Sequence, residues 1–164
     1  MRQLRLLFFI AITTIVSGCF LIPGTPEAAF YEFQTTHHKE SYIVLPLCIA
    51  GESVVPLVAE KIKSKDLDRR LYAIVFLGTV ESKEPIPVLQ QIAEDESDNV
   101  FFRSNALNSL YMLDEKSGVE LATTFKERDD FLGEEAARIL NMRDVHDYEK
   151  IREAYKTDVC HPTD

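Results

Sequence analysis

Two histidine-containing pairs are the first places where the residue types suggest chemistry. His37 and His38 are adjacent, and Cys160 and His161 lie close to Asp158. Imidazole and thiolate groups bind metals, but adjacent side chains on a helix point about 100° apart and cannot grip one ion together. The second cluster lies in a short C-terminal segment without a rigid framework to orient it. The sequence therefore predicts no catalytic residue, metal site, cofactor, small-molecule substrate or enzyme activity.

Acidic clusters are the second set of candidates, because carboxylate oxygens bind calcium. The run Glu94–Asn99 lacks the sixth-position glycine and the twelfth-position glutamate of a calcium loop when counted from Asp95. The paired carboxylates at 129–130 and 134–135 lie in a similar stretch. We interpret all of these as turns between helices, in which aspartates serve as helix caps.

Three cysteines are too few for a disulfide framework, but a bridge between Cys48 and Cys160 is conceivable in an oxidising compartment. Stacked helix layers lie about 8–10 Å apart. Two bridged Cα atoms tolerate a separation of roughly 7 Å at most. Geometry therefore opposes the bridge, because the first and last layers of such a stack lie farther apart than that, and only a C-terminal segment that doubles back could close the gap. The sequence leaves this bridge open.

The composition restricts the class of partner. The 164 residues include 27 acidic and 18 basic side chains, for a net charge of -9, and 46% of them are apolar. That length suits one compact domain, and the apolar content is typical of a globular protein. The negative charge argues against nucleic acid and anionic lipid headgroups as partners.

The N-terminal residues follow the layout of a secretory signal. A basic start with two arginines precedes the apolar run Leu6–Val16, and two small residues then lead into Cys19. The tetrad Val16-Ser17-Gly18-Cys19 resembles the lipobox of bacterial lipoproteins. The resemblance implies cleavage before Cys19, a thioether lipid on its sulfur and usually an acyl chain such as palmitate on the new amino terminus. Two or three lipid chains make such anchoring durable.

Two alternatives stay open at this end, an uncleaved membrane helix and ordinary signal cleavage. Apolar character continues to Ile22, but the stretch is short for a membrane span and Pro23-Gly24 ends it. By the lipoprotein resemblance, Phe20 after the cysteine implies sorting to an outer membrane. We therefore predict a lipid-anchored protein of the bacterial cell envelope that faces the periplasm. The predicted segments are a signal peptide at 1–18, a lipidated tether at 19–25, a helical domain at 26–156 and a flexible tail at 157–164.

An internal repeat organises the rest of the chain. The motif Arg-x-x-Ala-x-x-x-Leu begins at Arg70 and again at Arg103, and a proline precedes each copy, at Pro56 and Pro87. A weaker third copy follows about 30 residues later. In this copy the arginine position is occupied by Gly133 or Glu134, the alanine position by Ala136 or Ala137, and the leucine position by Leu140. Each unit is predicted to form two helices, with first-helix caps at Ser53, Ser82 and Asp114 and second-helix caps at Asp66, Asp98 and Asp130.

This pattern resembles HEAT repeats, particularly the short HEAT-like kind, over about residues 40–141. The resemblance implies an all-α fold, a short α-solenoid built as a right-handed stack of antiparallel helix pairs. It also implies that small Ala73 and Ala106 let the helices approach closely. Arg70 and Arg103 would pair with capping aspartates of neighbouring repeats. Helical periodicity independently predicts a buried central helix over Leu67–Leu77.

Three local signals refine the expected helices. Thr25 followed by Pro26 predicts a helix start. Pro46 lies within the apolar segment Ser41–Ala50, where we expect a kinked or split helix. The apolar stripe that follows Asp144 predicts a terminal capping helix.

An exposed ridge of second-helix side chains is the predicted binding surface. Helical-wheel counting from Arg70, carried on by the repeat offset, selects Arg69, Tyr72, Asn105, Asn108, Glu135 and Arg138. A long groove without a nucleophile or ligand set favours recognition over chemistry. We predict an envelope lipoprotein, held to the membrane through lipid on Cys19, that binds an unidentified envelope protein as a scaffold, adaptor or inhibitor. The alternatives are a HEAT-like enzyme of the chromophore-lyase type, which the resemblance implies, and a purely structural lipoprotein.

Overall fold

The computed structural model describes residues 22–37, 42–145 and 147–161. The predicted signal peptide, Cys19, His38 and the last three residues of the predicted tail lie outside this part of the chain. All regular structure within the described ranges is helical and no strand occurs there, so the predicted all-α class is confirmed. None of these helices combines the length and apolar character that crossing a bilayer requires.

Short connections join the helices. In chain order the structure forms α1 (Pro26–Thr35), α2 (Leu45–Ala50), a 3₁₀ turn (Gly51–Val54), α3 (Val55–Lys61), α4 (Arg70–Leu77), α5 (Ile86–Glu94), α6 (Val100–Leu113), α7 (Glu115–Phe125), α8 (Phe131–Val145) and α9 (Tyr148–Cys160).

Proline sets the start of several helices. Thr25 caps α1 as predicted, because its Oγ1 accepts a hydrogen bond from the amide of Ala28 at 3.3 Å and Pro26 begins the helix. Pro46 is the second residue of α2. Of the two outcomes expected for this segment, the kink at Pro46 is wrong, whereas the split agrees with the turn at 43–44 that precedes α2. A proline in the first turn removes an amide hydrogen that would have no helical partner there, so it starts the helix instead of bending it.

The caps of the second helices agree with the sequence only in part. The carboxylate of Asp130 accepts hydrogen bonds from two amides in the first turn of α8, as predicted. Asn99, and not Asp98, caps α6 through its side-chain oxygen, which accepts from the amide of Phe101 at 2.8 Å. The predicted cap at Asp66 is wrong, because α4 begins only at Arg70, directly after a residue in left-handed conformation.

The repeat motif supplies the core. Its small and large apolar positions are fully buried in both strong copies, at Ala73, Leu77, Ala106 and Leu110. In the third copy Ala136 is buried and Ala137 is exposed, which sets that copy's offset at 30 residues. Ile139 is fully buried there, whereas Leu140 is half-buried against the core.

Helices α4, α6 and α8 lie side by side, and α5 and α7 pack against this row. Helices α6 and α7 approach closely at Gly118, where an added Cβ would lie 2.3 Å from the Cα of Tyr111. Helix α1 packs on α2 and α3 at the other end of the row, and α3 contacts α4. The order of packing therefore follows the order of the chain from α1 to α8.

Helix α9 departs from that order. It crosses back over α6 and α4, where the hydroxyl of Tyr155 donates to the carbonyl of Val75 at 3.0 Å. The predicted apolar stripe does pack on the core, through Tyr148, Ile151 and Tyr155. The expected position as a terminal cap is wrong, because the helix covers α6 and α4. The helix also continues through Cys160, four residues beyond the predicted end of the domain.

The path of α9 brings Cys160 to Cys48, and the two form a disulfide with Cα atoms 5.6 Å apart. The geometric objection to this bridge assumed that the cysteines lie in the first and last layers. That assumption fails because the C-terminal helix doubles back to the N-terminal end of the row. Cys160 is buried, and its sulfur contacts the hydroxyl of Thr79.

Candidate partner-binding groove between α6 and α8

A surface groove of about 180 Å³ runs between α6 and α8. We call it the α6–α8 groove, and its lining residues are Phe101, Ser104, Asn105, Asn108, Phe131, Glu135 and Arg138. Four of the six residues selected from the sequence lie in this lining. The structure thus brings Asn105, Asn108, Glu135 and Arg138 together, although each helix contributes only two of them.

Two phenylalanines lie at one end of the α6–α8 groove. Phe101 is 44% exposed and Phe131 is 50% exposed, and their ring centroids are 6.0 Å apart. Each ring belongs to the first turn of its helix, and the caps at Asn99 and Asp130 fix where those turns begin. An exposed pair of large aromatic rings is typical of the central contacts of protein interfaces.

Arg138 organises the polar end of the groove. Its guanidinium donates to Glu135 Oε2 at 2.9 Å, to Asn108 Oδ1 at 2.8 Å and to the sulfur of Met142 at 2.9 Å. The hydrogen bonds to Glu135 raise the pKa of Arg138 above its ordinary value. Like any arginine, Arg138 is charged across the physiological range, and its hydrogen bonds to Glu135 and Asn108 favour one orientation of the guanidinium, which reduces the entropy lost when a partner binds.

Helical spacing explains why these side chains share one groove. Phe101, Asn105 and Asn108 follow the spacing i, i+4, i+7 on α6, and Phe131, Glu135 and Arg138 repeat it on α8, 30 residues later. Residues at this spacing lie on one face of a helix. Sequence reasoning missed Phe101 and Phe131, although extending the selected positions by one turn towards the N-terminus would have reached both.

The structure does not bring Arg69 and Tyr72 to the α6–α8 groove. Arg69 precedes α4 with a φ of 58°, and its guanidinium donates to the carbonyls of Phe33 and Thr36 at the end of α1. Helical-wheel counting misplaced its side chain because the residue is not helical. Tyr72 is half-buried and packs against the core. The role of both residues in binding stays a prediction.

In the cysteine-containing cluster and the acidic run, side chains that the sequence singled out are bonded to other residues of the fold. Cys160 is bonded to Cys48, so it is not a free nucleophile or metal ligand. In the acidic run, Lys65 forms an ion pair with Asp95 at 2.7 Å and lowers the pKa of that carboxyl. The described ranges hold no group of three or more His, Cys, Asp or Glu side chains able to bind a metal ion.

Chemically, the α6–α8 groove suits recognition. It offers an apolar end with two rings and a polar end with a fixed guanidinium, carboxylate and amide. This combination can bury an apolar side chain of a partner and pair with its polar groups. No protein-family model, curated protein or solved structure matches the chain.

Proposed function

We propose that the protein is a lipid-anchored α-solenoid of the bacterial cell envelope that binds another protein through the α6–α8 groove. The lipobox resemblance at Val16–Cys19 supports the anchor and the location. The side-by-side packing of α4, α6 and α8, with one layer added by each copy of the repeat, supports the solenoid. Scaffold, adaptor and inhibitor are the roles that such a module serves.

The observation that carries the proposal is the pair Phe101 and Phe131 beside the Arg138 cluster. Large apolar side chains exposed together are costly for a soluble domain and mark contact surfaces. Aromatic residues and arginine are also the residue types that dominate binding energies at protein interfaces. Their convergence from two helices in one groove favours a protein partner over a purely structural role.

Site-specific photo-crosslinking tests the proposal in cells. A photoreactive phenylalanine at position 131 of the full-length chain should give a discrete adduct with one envelope protein. The substitution Phe101→Ser should lower the adduct yield by about tenfold or more, because the loss of an aromatic anchor costs about 2 kcal/mol of binding energy. The melting transition of Phe101→Ser should change by no more than the equivalent of about 0.5 kcal/mol, since the side chain is partly exposed.

Two matched controls define specificity. A photoreactive residue at exposed Gln90 on α5 should give no such adduct. Tyr31→Ser, which removes an exposed aromatic ring far along the chain, should leave the adduct at position 131 unchanged. Equal adducts at both positions would contradict a specific groove, absence of any adduct would favour the purely structural lipoprotein, and a pigment bound to the purified protein would favour the chromophore-lyase alternative.

The anchor has its own test. Cys19→Ala should leave an unprocessed precursor and abolish labelling by a fatty-acid analogue, because no other sulfur lies at the cleavage site. The double variant Cys48→Ala/Cys160→Ala keeps Cys19 and should be labelled like the unchanged protein. Equal labelling of Cys19→Ala would contradict lipid anchoring.

A further inference from the structure

Large apolar side chains are also exposed at the N-terminal end of the described chain. Ile22 is 68% exposed and Ile49 is 78% exposed, more than either phenylalanine of the α6–α8 groove. Isolated exposed apolar residues are common, but Ile49 lines a groove and Ile22 directly precedes Pro23, the first residue of that lining. They therefore form a surface that needs a physical explanation of its own.

That groove lies between the start of α1 and helix α2 and has a volume of about 340 Å³. We call it the N-terminal groove. Its apolar lining consists of Pro23, Ala28, Ala29, Pro46, Ile49 and Ala50, and its polar lining includes Thr25, Glu32 and Ser53. The amide and hydroxyl of Thr25 both donate to the carbonyl of Ile22, at 3.2 and 2.9 Å, and so hold Ile22 at the mouth of α1.

The short sequence distance from Cys19 to the N-terminal groove indicates what lies opposite the groove. Only Phe20 and Leu21 separate Ile22 from Cys19. Three residue steps span at most about 11 Å of extended chain. A lipid on Cys19 therefore keeps Ile22 and the N-terminal groove close to the membrane surface for as long as the protein is anchored.

We propose that the N-terminal groove rests on the lipid surface, with Ile22 and Ile49 inserted at the boundary between headgroups and acyl chains. The proposal rests on the lipid anchor proposed above. The surface it fits carries neutral headgroups, because Glu32 lines the groove and the chain is acidic overall. The contact fixes the orientation of the protein. Phe131 begins α8, at the far end of the helix row from α1, and so serves as the position to compare with Ile49.

The chain contains no tryptophan, so a single introduced tryptophan reports on one position. The lipidated protein carrying Ile49→Trp is reconstituted on phosphatidylcholine vesicles, with and without bromine on the acyl chains, since bromine quenches tryptophan fluorescence on contact. The matched control is Phe131→Trp, another exposed apolar position. Vesicle flotation measures in parallel how much of each protein is bound.

We expect both variants to float with the vesicles, and brominated lipid to quench most of the fluorescence of Ile49→Trp and none of that of Phe131→Trp. Flotation without quenching of Ile49→Trp would overturn this proposal and leave the anchor intact. Loss of flotation would overturn the anchor and this proposal with it. A blue-shifted Ile49→Trp emission that depends on protein concentration in vesicle-free Cys19→Ser protein would assign the groove to a second copy of the chain instead.

Discussion

Arg70 and Arg103 occupy equivalent positions in successive repeats. They share two kinds of contact, with a carbonyl and with an aromatic ring, but differ in their carboxylate partner. Both side chains are buried, and the Nε of each donates to the last carbonyls of the preceding helix, Arg70 to Ile62 at 2.8 Å and Arg103 to Ala93 at 3.0 Å. Each guanidinium also lies over a phenylalanine ring, at 5.1 and 5.9 Å from the centroid. The hydrogen bond to a helix-end carbonyl and the contact with a phenylalanine ring are thus the same in both repeats.

The anions differ. Arg70 pairs with Asp98, whose side chain is only 4% exposed. This confirms the predicted partner from the neighbouring repeat, although Asn99 and not Asp98 caps α6. Arg103 pairs with Glu96, whose side chain is 65% exposed, so the predicted pairing with a capping aspartate is wrong there. Arg128 also forms an ion pair with Glu96, and it forms a second one, at 2.8 Å, with the capping Asp130.

The difference teaches what an arginine at this position does. Its hydrogen bond satisfies a carbonyl at a helix end, and any carboxylate within reach balances its charge. In the third copy Gly133 replaces the arginine and packs against the backbone of Arg128. Arg128, from the preceding turn, then supplies the guanidinium beside Asp130. The third copy thus keeps an arginine–carboxylate pair, whereas the carbonyl and ring contacts are the ones that Arg70 and Arg103 share.

The largest effect should come from Arg70→Met. This substitution leaves the buried carboxylate of Asp98 without its cation, which costs about 3–5 kcal/mol. Arg103→Met should cost less, about 1–3 kcal/mol for the unpaired carbonyl of Ala93, because Glu96 remains solvated and keeps Arg128. Denaturant unfolding of both variants measures the difference.

A double variant separates charge from packing. Arg70→Met/Asp98→Leu removes both members of the buried pair and should recover most of the stability that Arg70→Met loses, because no lone charge remains. Equal losses in Arg70→Met and Arg103→Met, with no recovery in the double variant, would show that the exposure of the anion is irrelevant.

Opening the bridge between Cys48 and Cys160 should have the next largest effect. The bridge joins residues separated by 112 positions, and its removal by Cys48→Ala/Cys160→Ala should cost about 2–4 kcal/mol. The difference between Arg70→Met and Arg103→Met should persist in this background within about 0.5 kcal/mol, because distant sites act additively. If the two substitutions instead destabilised this variant equally, α9 would be what makes Arg70 and Arg103 differ in their contribution to stability.

Sequence reasoning succeeded where neighbouring residues decide the outcome. The buried alanines and leucines of the motif follow from helical periodicity, and the cap of α1 follows from Thr25-Pro26. The partner of Arg103 could not be chosen in this way, because Glu96 and Asp130 come from different turns and Arg128 pairs with both of them.

Two further features depend on packing between distant segments. The return of α9 and its bridge to Cys48 follow from a long-range path that no local pattern encodes. The exposure of Phe101 and Phe131 was missed because large apolar residues in helices are ordinarily assigned to the core. The polar residues of the α6–α8 groove were identifiable, since the repeat offset applies to exposed positions as well as buried ones.

The smallest expected effect is a change in the titration of Glu96. Its hydrogen bond from Arg103 lowers the pKa of this exposed carboxyl below the usual 4.5, and Arg128 contributes less. Because the folded-state pKa is lowered, the ion pair is present at neutral pH and is lost as the pH falls below 4.5. NMR titration of the Glu96 side chain should place its midpoint below 4.5 in the unchanged protein. Arg103→Met should raise that midpoint more than Arg128→Met does, and the reverse order would make Arg128 the principal partner.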